Sequence, residues 1–380
     1  MRTDRPLRIL IFNWRDRAHP NAGGAEIYTH RIASEWVKMG HSVTLFCASV
    51  EGHTEGDSDE GLHIIRRGSK HTVYREAKRF YQSEGCGKYD IVIDEVNTRP
   101  FYAPVWVKDV PTIALIHQVC REVWFYEYSW PVAFLGRFIL EPMWLRKYRH
   151  VPTITVSKSS AMSLRRYGLE NVTVVAEGMD SIPATEVPTH KPDSPFTCLF
   201  VGRLTANKRP HHAIKAFQLM LKVVPSARMW VIGTGPLEQQ LRDSSPHEVE
   251  FLGRVSDSEK RRRLADADVL LVTSVREGWG LVVTEAAQYG TRSVGYNVPG
   301  LSDSIPASNG ILTDPSPQSL SEALVRVSKG IMGDEGTGAQ PNGVISWEEV
   351  AREFLVVITG SDFGYVDVEV EQLPTDNDKS

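Results

Sequence analysis

The stretch Arg276-Glu277-Gly278-Trp279-Gly280-Leu281-Val282-Val283-Thr284-Glu285-Ala286-Ala287-Gln288 decides the fold of this chain. It follows Val269-Leu270-Leu271-Val272, a short apolar run that reads as a buried strand. Gly278 and Gly280 make a turn around Trp279, and Leu281 to Tyr289 can wind as a helix. A strand, a glycine turn and a helix start in that order aim unpaired backbone N–H groups and a positive dipole end at one point, which suits a phosphate. Two carboxylates bracket the junction, Glu277 before the turn and Glu285 eight positions later. Ionised glutamates accept hydrogen bonds from hydroxyls. A phosphate cradle flanked by hydroxyl acceptors describes a nucleotide-sugar site. A glycine turn with one surface glutamate and one capping glutamate is the plainer reading of the same spacing.

Outward from this stretch, strand-like runs alternate with helix-like ones, the signature of an α/β fold with largely parallel sheets. Leu7–Phe12 reads as the first strand. Asn13–Gly24 is a polar loop ending in Gly23-Gly24, and Ala25–Met39 is a helix with the stripe Tyr28, Ile32, Trp36 and Met39. A strand follows at Ser42–Phe46. This order places Gly23 and Gly24 at the carboxyl edge of a parallel sheet, where ligands bind in such folds. The diglycine is not a GxGxxG fingerprint, and a simple turn into the helix explains it equally. Glu51–Gly61 reads as an exposed acidic loop. The runs Ile91-Val92-Ile93 and Thr112–Ile116 read as strands ending at Asp94-Glu95 and at His117-Gln118. His117 is placed either for a cleft or for a structural role. The loop after it carries Arg121, Glu122, Trp124 and Tyr126, aromatic faces and charged groups of the kind a sugar or polyol acceptor needs. Trp130–His150 is aromatic, apolar and basic, and reads either as an interfacial helix touching a membrane or a lipid-linked acceptor, or as a core helix with a basic end.

The proline-rich Ser181–Pro195 is a linker by composition, and a second series of strands begins at Thr197–Val201. Gly202-Arg203-Leu204-Thr205-Ala206-Asn207-Lys208 follows that strand directly. Arg203 and Lys208 are thus two cations on one loop at a sheet edge, and a diphosphate would satisfy both; two solvated loop cations are the alternative. Gly233 and the pair Arg254-Val255 sit in turns after further strands, where a base could approach the backbone. Asp266-Ala267-Asp268 matches a metal-binding Asp-x-Asp pattern but ends a helix before a buried strand, so it reads as boundary chemistry. Gly330–Gly343 is a second linker by composition, and Trp347–Ile358 is an amphipathic helix able to cross back to the first half. The expected division is 1–185 for an acceptor-binding unit, 196–345 for a donor-binding unit, and 346–360 for the returning helix.

Over 380 residues the net charge is −4, which argues against a general nucleic-acid binder. The four cysteines are far apart without metal spacing, consistent with a reducing compartment. No window is apolar enough for a membrane span and the start shows no signal-peptide core, so the expected location is cytoplasmic, with contact at the inner membrane face through 130–150 as the open addition.

Together these parts resemble a known family. Glu277-Gly278-Trp279-Gly280-Leu281 with Glu285 resembles the E-x7-E motif of the retaining glycosyltransferases of family 4, group 1. Gly202-Arg203-Leu204 with Lys208 resembles the family's phosphate loop, Gly23-Gly24-Ala25-Glu26 its N-terminal glycine loop, and His117 matches its active-site histidine. Three departures stand out: Trp279 for phenylalanine, Val282-Val283 for a proline-containing pair, and Glu177-Gly178-Met179-Asp180 for Asn-Gly-Val-Asp. The resemblance implies a GT-B fold, two Rossmann-like domains with parallel sheets facing across a cleft. It implies a nucleotide-diphosphate sugar as co-substrate, a hydroxyl acceptor, retention of configuration and no metal or other cofactor. Carried over by position, Arg203 and Lys208 would hold the diphosphate, and Gly24, Gly280 and Leu281 would contact phosphate. Glu277 would meet sugar hydroxyls and Glu285 the ribose, with His117 near the reacting centre. A catalytically silent nucleotide-sugar scaffold and a GT-B sugar-phosphate synthase or phosphorylase share the pattern.

Overall fold

The computed structural model describes residues 5–180, 194–331 and 345–360. The expected linkers at Ser181–Pro195 and Gly330–Gly343 lie largely outside them, as does the C-terminal stretch after residue 360. Among the described residues fourteen strands form two sheets. The first holds β1 (Arg8–Phe12), β2 (Ser42–Cys47), β3 (Gly56–Asp59), β4 (Leu62–Arg66), β5 (Ile91–Glu95), β6 (Thr112–Leu115), β7 (Thr153–Thr155) and β8 (Val172–Val174), in the order β3-β4-β2-β1-β5-β6-β7-β8. The second holds β9 (Thr197–Val201), β10 (Arg228–Ile232), β11 (Val249–Gly253), β12 (Val269–Val272), β13 (Arg292–Tyr296) and β14 (Ile311–Thr313), in the order β11-β10-β9-β12-β13-β14. All pairings are parallel except β3 with β4. This is the α/β architecture of two parallel-sheet units that the sequence led us to expect.

Helices cover both faces of each sheet, so the inner strands read as unbroken apolar runs. Ile9, Leu10, Ile11 and Phe12 are all buried, as are Val269 to Val272. In the first sheet the strand order reverses between β1 and β5, and in the second between β9 and β12. Ligand crevices open at the carboxyl ends of such switch points. The loops after β1, β5, β9 and β12 therefore define where a site belongs.

The segment Glu51–Gly61 departs from the loop expected of it. Gly56–Asp59 pairs antiparallel with β4 as an edge strand. Its charged residues are answered by partners distant in sequence: Asp57 by Arg66 at 3.1 Å, and Asp59 by Arg17 at 2.7 Å and His30 at 2.9 Å. The Trp130–His150 segment departs as well. It is helical without interruption from Trp130 to Tyr148, but with a wide turn at Gly136–Leu140 and a tightened end at Arg146–Tyr148. Ala133, Gly136, Glu141, Leu145 and Tyr148 face inward, while Trp130 is 70% exposed and Phe138 53%. The core-helix alternative holds for its C-terminal end, where Leu145 and Tyr148 join a core cluster, and not for the exposed apolar residues Trp130, Phe134 and Phe138.

The helix Trp347–Thr359 returns to the first unit. Ser346 caps it, accepting from Glu349 N at 3.2 Å while the Glu349 carboxylate accepts from Ser346 N at 2.8 Å. Its buried face, Trp347, Val350, Ala351, Phe354 and Ile358, lies on the helix Gly24–Lys38. Trp36 donates its indole N–H to Ala351 O at 2.9 Å and packs edge-on to Phe354 at 5.1 Å. Removing a buried phenyl leaves a cavity that typically costs about 3–5 kcal/mol. Phe354→Ala is expected to lower the unfolding free energy of the first unit by that order, read as a lower urea midpoint, and an unchanged midpoint would show that the returning helix is not part of the fold's core.

Candidate functional site

The second sheet supplies a compact ionic centre. Lys208 ends a short turn, Ala206–Lys208, after β9, and its ammonium is hydrogen-bonded to Glu277 Oε1. Ser274 Oγ donates to the same oxygen at 2.6 Å. The loop after β12 is tied to the loop after β9 by Val275 N donating to Asn207 O at 2.8 Å, and by Thr273 Oγ1 donating to Lys208 O at 2.9 Å. Two residues that the sequence singled out separately are thus one ion pair. Arg203, on the same loop, is exposed and has no ion-pair partner among the described residues. Glu285, one helical turn inside Leu281–Gln288, pairs with Lys260 at 3.0 Å. Lys260 carries no motif signal and was not anticipated.

Gly280 precedes that helix at φ 97°, in the left-handed region that favours glycine, and has no capping side chain. The first N–H groups of the helix are therefore without an intrahelical partner. Gly278 lies directly against the first unit: a Cβ there would sit 3.1 Å from His117 O and 3.3 Å from His117 Cβ. Trp279 is partly buried against the first unit's core, and its indole N–H has no partner among the described residues. Leu281 reaches Gly24, whose Cβ would lie 3.5 Å from Leu281 Cδ1. Gly233, Arg254 and Val255 sit further along the same edge. Gly233 passes so close to Gly202 that a Cβ would meet its carbonyl oxygen at 2.0 Å, Arg254 is exposed, and Val255 is half-buried.

On the first unit, His117 is buried after β6, edge-on to Tyr28 at 5.0 Å. Its Nε2 is 3.6 Å from Glu95 Oε1 and makes no hydrogen bond. Glu95 ends β5 and accepts from Thr29 Oγ1 at 2.6 Å and Asn97 Nδ2 at 3.3 Å. Asn97 also donates to Asn13 Oδ1 at 3.0 Å and Glu26 Oε1 at 3.3 Å. Glu26 accepts from Gly23 N at 2.7 Å, which fixes the diglycine turn, and pairs with Arg15 at 2.8 Å. Burial pushes the Glu26 carboxyl above its ordinary value against the opposing pull of Arg15. A hydrogen-bonded network, Asn13–Asn97–Glu95, thus runs along the carboxyl edge to within 3.6 Å of His117, which backs Gly278. Its signal in the sequence was only that a polar residue ends each strand.

The loop of acceptor candidates bridges the cleft. Glu122 pairs with the buried Arg276 at 3.1 Å, and Arg276 also donates to Ser163 Oγ at 3.3 Å. Tyr126 accepts from Arg209 at 2.5 Å. Arg121 forms an ion pair with Glu122 at 3.3 Å and takes a positive φ of 39°. Trp124, by contrast, is buried. Its indole N–H donates to Glu141 at 3.3 Å, and its ring covers Gly136, where a Cβ would lie 2.3 Å away. It supports the loop rather than facing the cleft. Glu141 is the anchor the sequence reading missed: it also accepts from Cys120 N at 2.6 Å and Arg121 N at 3.0 Å. Among the described residues no group of three or more His, Cys, Asp or Glu side chains is placed to hold a metal ion.

Two family models match consecutively: the one described as Glycosyltransferase Family 4 over residues 22–181, and the one described as Glycosyl transferases group 1 over 182–330. The chain belongs to the group 1, family 4 glycosyltransferases. A glycogen synthase of Mycobacterium tuberculosis is 25% identical over 337 residues, covering 79% of this chain and 80% of that one. Among solved structures, a sucrose-phosphate synthase from Thermosynechococcus elongatus superposes with a TM-score of 0.74 at 18% identity, covering 92% and 97% of the two chains. The Anabaena HepE protein, in complex with UDP and glucose, gives 0.66 at 17% identity, covering 92% and 98%. The glycosyltransferase is therefore of GT-B type and acts on sugar donors.

Truncating Glu141 strands several buried donors at once, each costing about 1–3 kcal/mol. Glu141→Ala in this glycosyltransferase is expected to destabilise by at least about 2 kcal/mol, and to speed amide exchange across residues 119–124. Unchanged exchange there would show that the loop is held by other contacts.

Proposed function

We propose that this glycosyltransferase is a metal-independent retaining hexosyltransferase that moves a sugar from a nucleoside-diphosphate donor to a hydroxyl acceptor. The observation that carries the reading is the Lys208–Glu277 pair at the mouth of an uncapped helix, with His117 backed against the glycine turn. In this reading the donor lies on the second unit, 196–345, and the acceptor on the first, 1–185 with the returning helix 346–360. Arg203 and Lys208 stabilise the diphosphate as it leaves, joined by the free N–H groups at Gly280 and Leu281. Developing phosphate charge is where fixed cations and dipoles lower a barrier most. Lys208 is then shared between Glu277 and phosphate, which leaves a Glu277 oxygen for donor-sugar hydroxyls. Glu285, oriented by Lys260, takes the ribose. Gly23, Gly24, Gly278 and Trp279 shape the donor channel, and Gly233, Arg254 and Val255 border the base. His117 lies beside the reacting carbon. The acceptor approaches past Arg121, Glu122 and Tyr126, and the leaving phosphate takes its hydroxyl proton on the same face. The location proposed is cytoplasmic.

The exposed ridge Trp130, Phe134, Phe138 and Ile139, close in sequence to Arg146, Lys147 and Arg149, supports a lipid-linked acceptor reached from the inner membrane face. Apolar groups beside cations favour an anionic lipid surface. No helix among the described residues is long and apolar enough to cross a membrane.

Two experiments check these readings. Transfer assayed over a panel of UDP, GDP, ADP, dTDP and CDP sugars should proceed equally with and without EDTA, and Arg203→Ala or Lys208→Ala should lower it at least about 100-fold. Full activity in Arg203→Ala removes the phosphate role, and activity lost to EDTA and restored by a divalent ion removes metal independence. Flotation with anionic vesicles should carry the protein upward at low salt and lose the Trp130→Ser/Phe138→Ser variant. Equal flotation of variant and wild type, or of neither, removes the ridge as a membrane contact.

A further inference from the structure

The segment from Val175 to Asp180 leaves β8 and runs along the cleft. Its backbone is pinned on both sides. Tyr28 OH donates to Val175 O at 3.4 Å. Trp347 covers Gly178 so closely that a Cβ would lie 2.8 Å from the indole. Met179 N donates to Ile345 O at 3.0 Å. Asp180 pairs with Arg31 at 2.6 Å, and its carbonyl accepts from Gln288 Nε2 at 2.8 Å. The backbone that carries Glu177 is therefore held in place on both sides.

The helix Leu281–Gln288 shows what Glu177 faces. Leu281, Glu285 and Gln288 lie four and three positions apart and share one helical face. Leu281 touches Gly24 and Gln288 touches Asp180, so Glu285 between them is turned toward the first unit. Glu177 sits within electrostatic reach of both Glu285 and Glu277. Those two glutamates already have cations, Lys260 and Lys208. Glu177 does not: its Oε2 is out of solvent contact and has no hydrogen-bond partner among the described residues. Buried polar atoms in native proteins are nearly always paired, so an orphan on a binding cleft marks a place for a ligand's polar group.

We propose that Glu177 is a third carboxyl of the donor site and hydrogen-bonds hydroxyls of the bound nucleotide sugar, an inference that rests on the function proposed above. Burial, with Glu277 and Glu285 beside it, pushes the Glu177 carboxyl well above its ordinary value. A carboxylate oxygen accepts from a hydroxyl, and a carboxyl that holds its proton also donates to one, so either form matches a hydroxyl. Phosphate is a poor match, because the neighbouring carboxylates repel it. The position is also one where this chain departs from the pattern it resembles, with glutamate standing for asparagine and reaching one methylene further.

The test is calorimetric titration of wild type, Glu177→Ala and Glu177→Gln. Ligands are UDP, GDP and ADP, the glucose conjugate of whichever binds, and its 2′-deoxyribose analogue. Losing one buried hydrogen bond to the ligand should weaken the glucose conjugate about tenfold in Glu177→Ala. Glu177→Gln, which keeps a donor and an acceptor, should recover most of this. Loss shared by the bare nucleotide and absent for the deoxy analogue assigns the contact to the ribose. Loss confined to the glucose conjugate assigns it to the sugar. Wild-type binding with undiminished affinity in a folded Glu177→Ala overturns the inference while leaving the donor site standing. No binding by wild type overturns the donor reading itself, and the inference with it.

Discussion

The site depends on one close approach, the bare backbone at Gly278 against His117. A side chain there would need its Cβ 3.1 Å from the His117 carbonyl oxygen, tighter than the contact readily allows. Gly300 repeats the constraint from the other direction, since a Cβ on it would fall 2.2 Å from Glu277 O. Glycine at 278 lets the loop after β12 touch the loop after β6 with no spacer, and glycine at 300 lets the loop after β13 back the same turn. Glu277 on Lys208, Trp279 against the first unit's core and the helix opening at Gly280 all flank that contact. The neighbouring Arg276 reinforces it, buried between Glu122 and Ser163.

The electrostatic character of the cleft follows from this geometry. Its charged groups are largely paired before any ligand arrives: Lys208 with Glu277, Lys260 with Glu285, Arg276 with Glu122 and Arg15 with Glu26. Pairing offsets the cost of removing each charge from water. It also fixes the side chains, so a ligand's phosphate or hydroxyl meets groups already oriented. The unpaired atoms are of another kind. Asn13 Nδ2, His117 Nε2, Trp279 Nε1 and Glu177 Oε2 are single polar atoms with no hydrogen-bond partner among the described residues. A cleft that pairs most of its charges internally and leaves single polar atoms open is suited to selecting a hydroxyl-rich molecule, because an unmet buried polar atom penalises any ligand that lacks the matching group.

Local sequence pattern carried much of this. The strands were legible because inner parallel strands are apolar throughout, and the loops at their carboxyl ends because glycine and polar residues interrupt them. Glu277, Lys208, His117 and Gly24 were legible as candidates by the same logic. Lys260 and Glu141 were not. Each sits in an ordinary amphipathic stretch, and its role exists only because another element lies opposite: Glu285 for Lys260, and the 120–124 backbone for Glu141. Trp124 misled because an aromatic in a polar loop looks solvent-facing until Gly136 is brought beneath it. The acidic Gly56–Asp59 misled in the same way, its charges answered by Arg66 and Arg17 from elsewhere in the chain.

By itself the sequence determined that this chain builds two parallel-sheet units and which strand ends carry polar chemistry, since periodicity and glycine placement act over a few residues and need no partner. Only the tertiary structure decided which of those groups meet. The pairing of Lys208 with Glu277, the contact of Gly278 with His117 and the placing of Glu177 beside Glu277 and Glu285 join residues from about 70 to 160 positions apart. Ion pairing and desolvation depend on distance in space and on exclusion of water, and no local pattern encodes either.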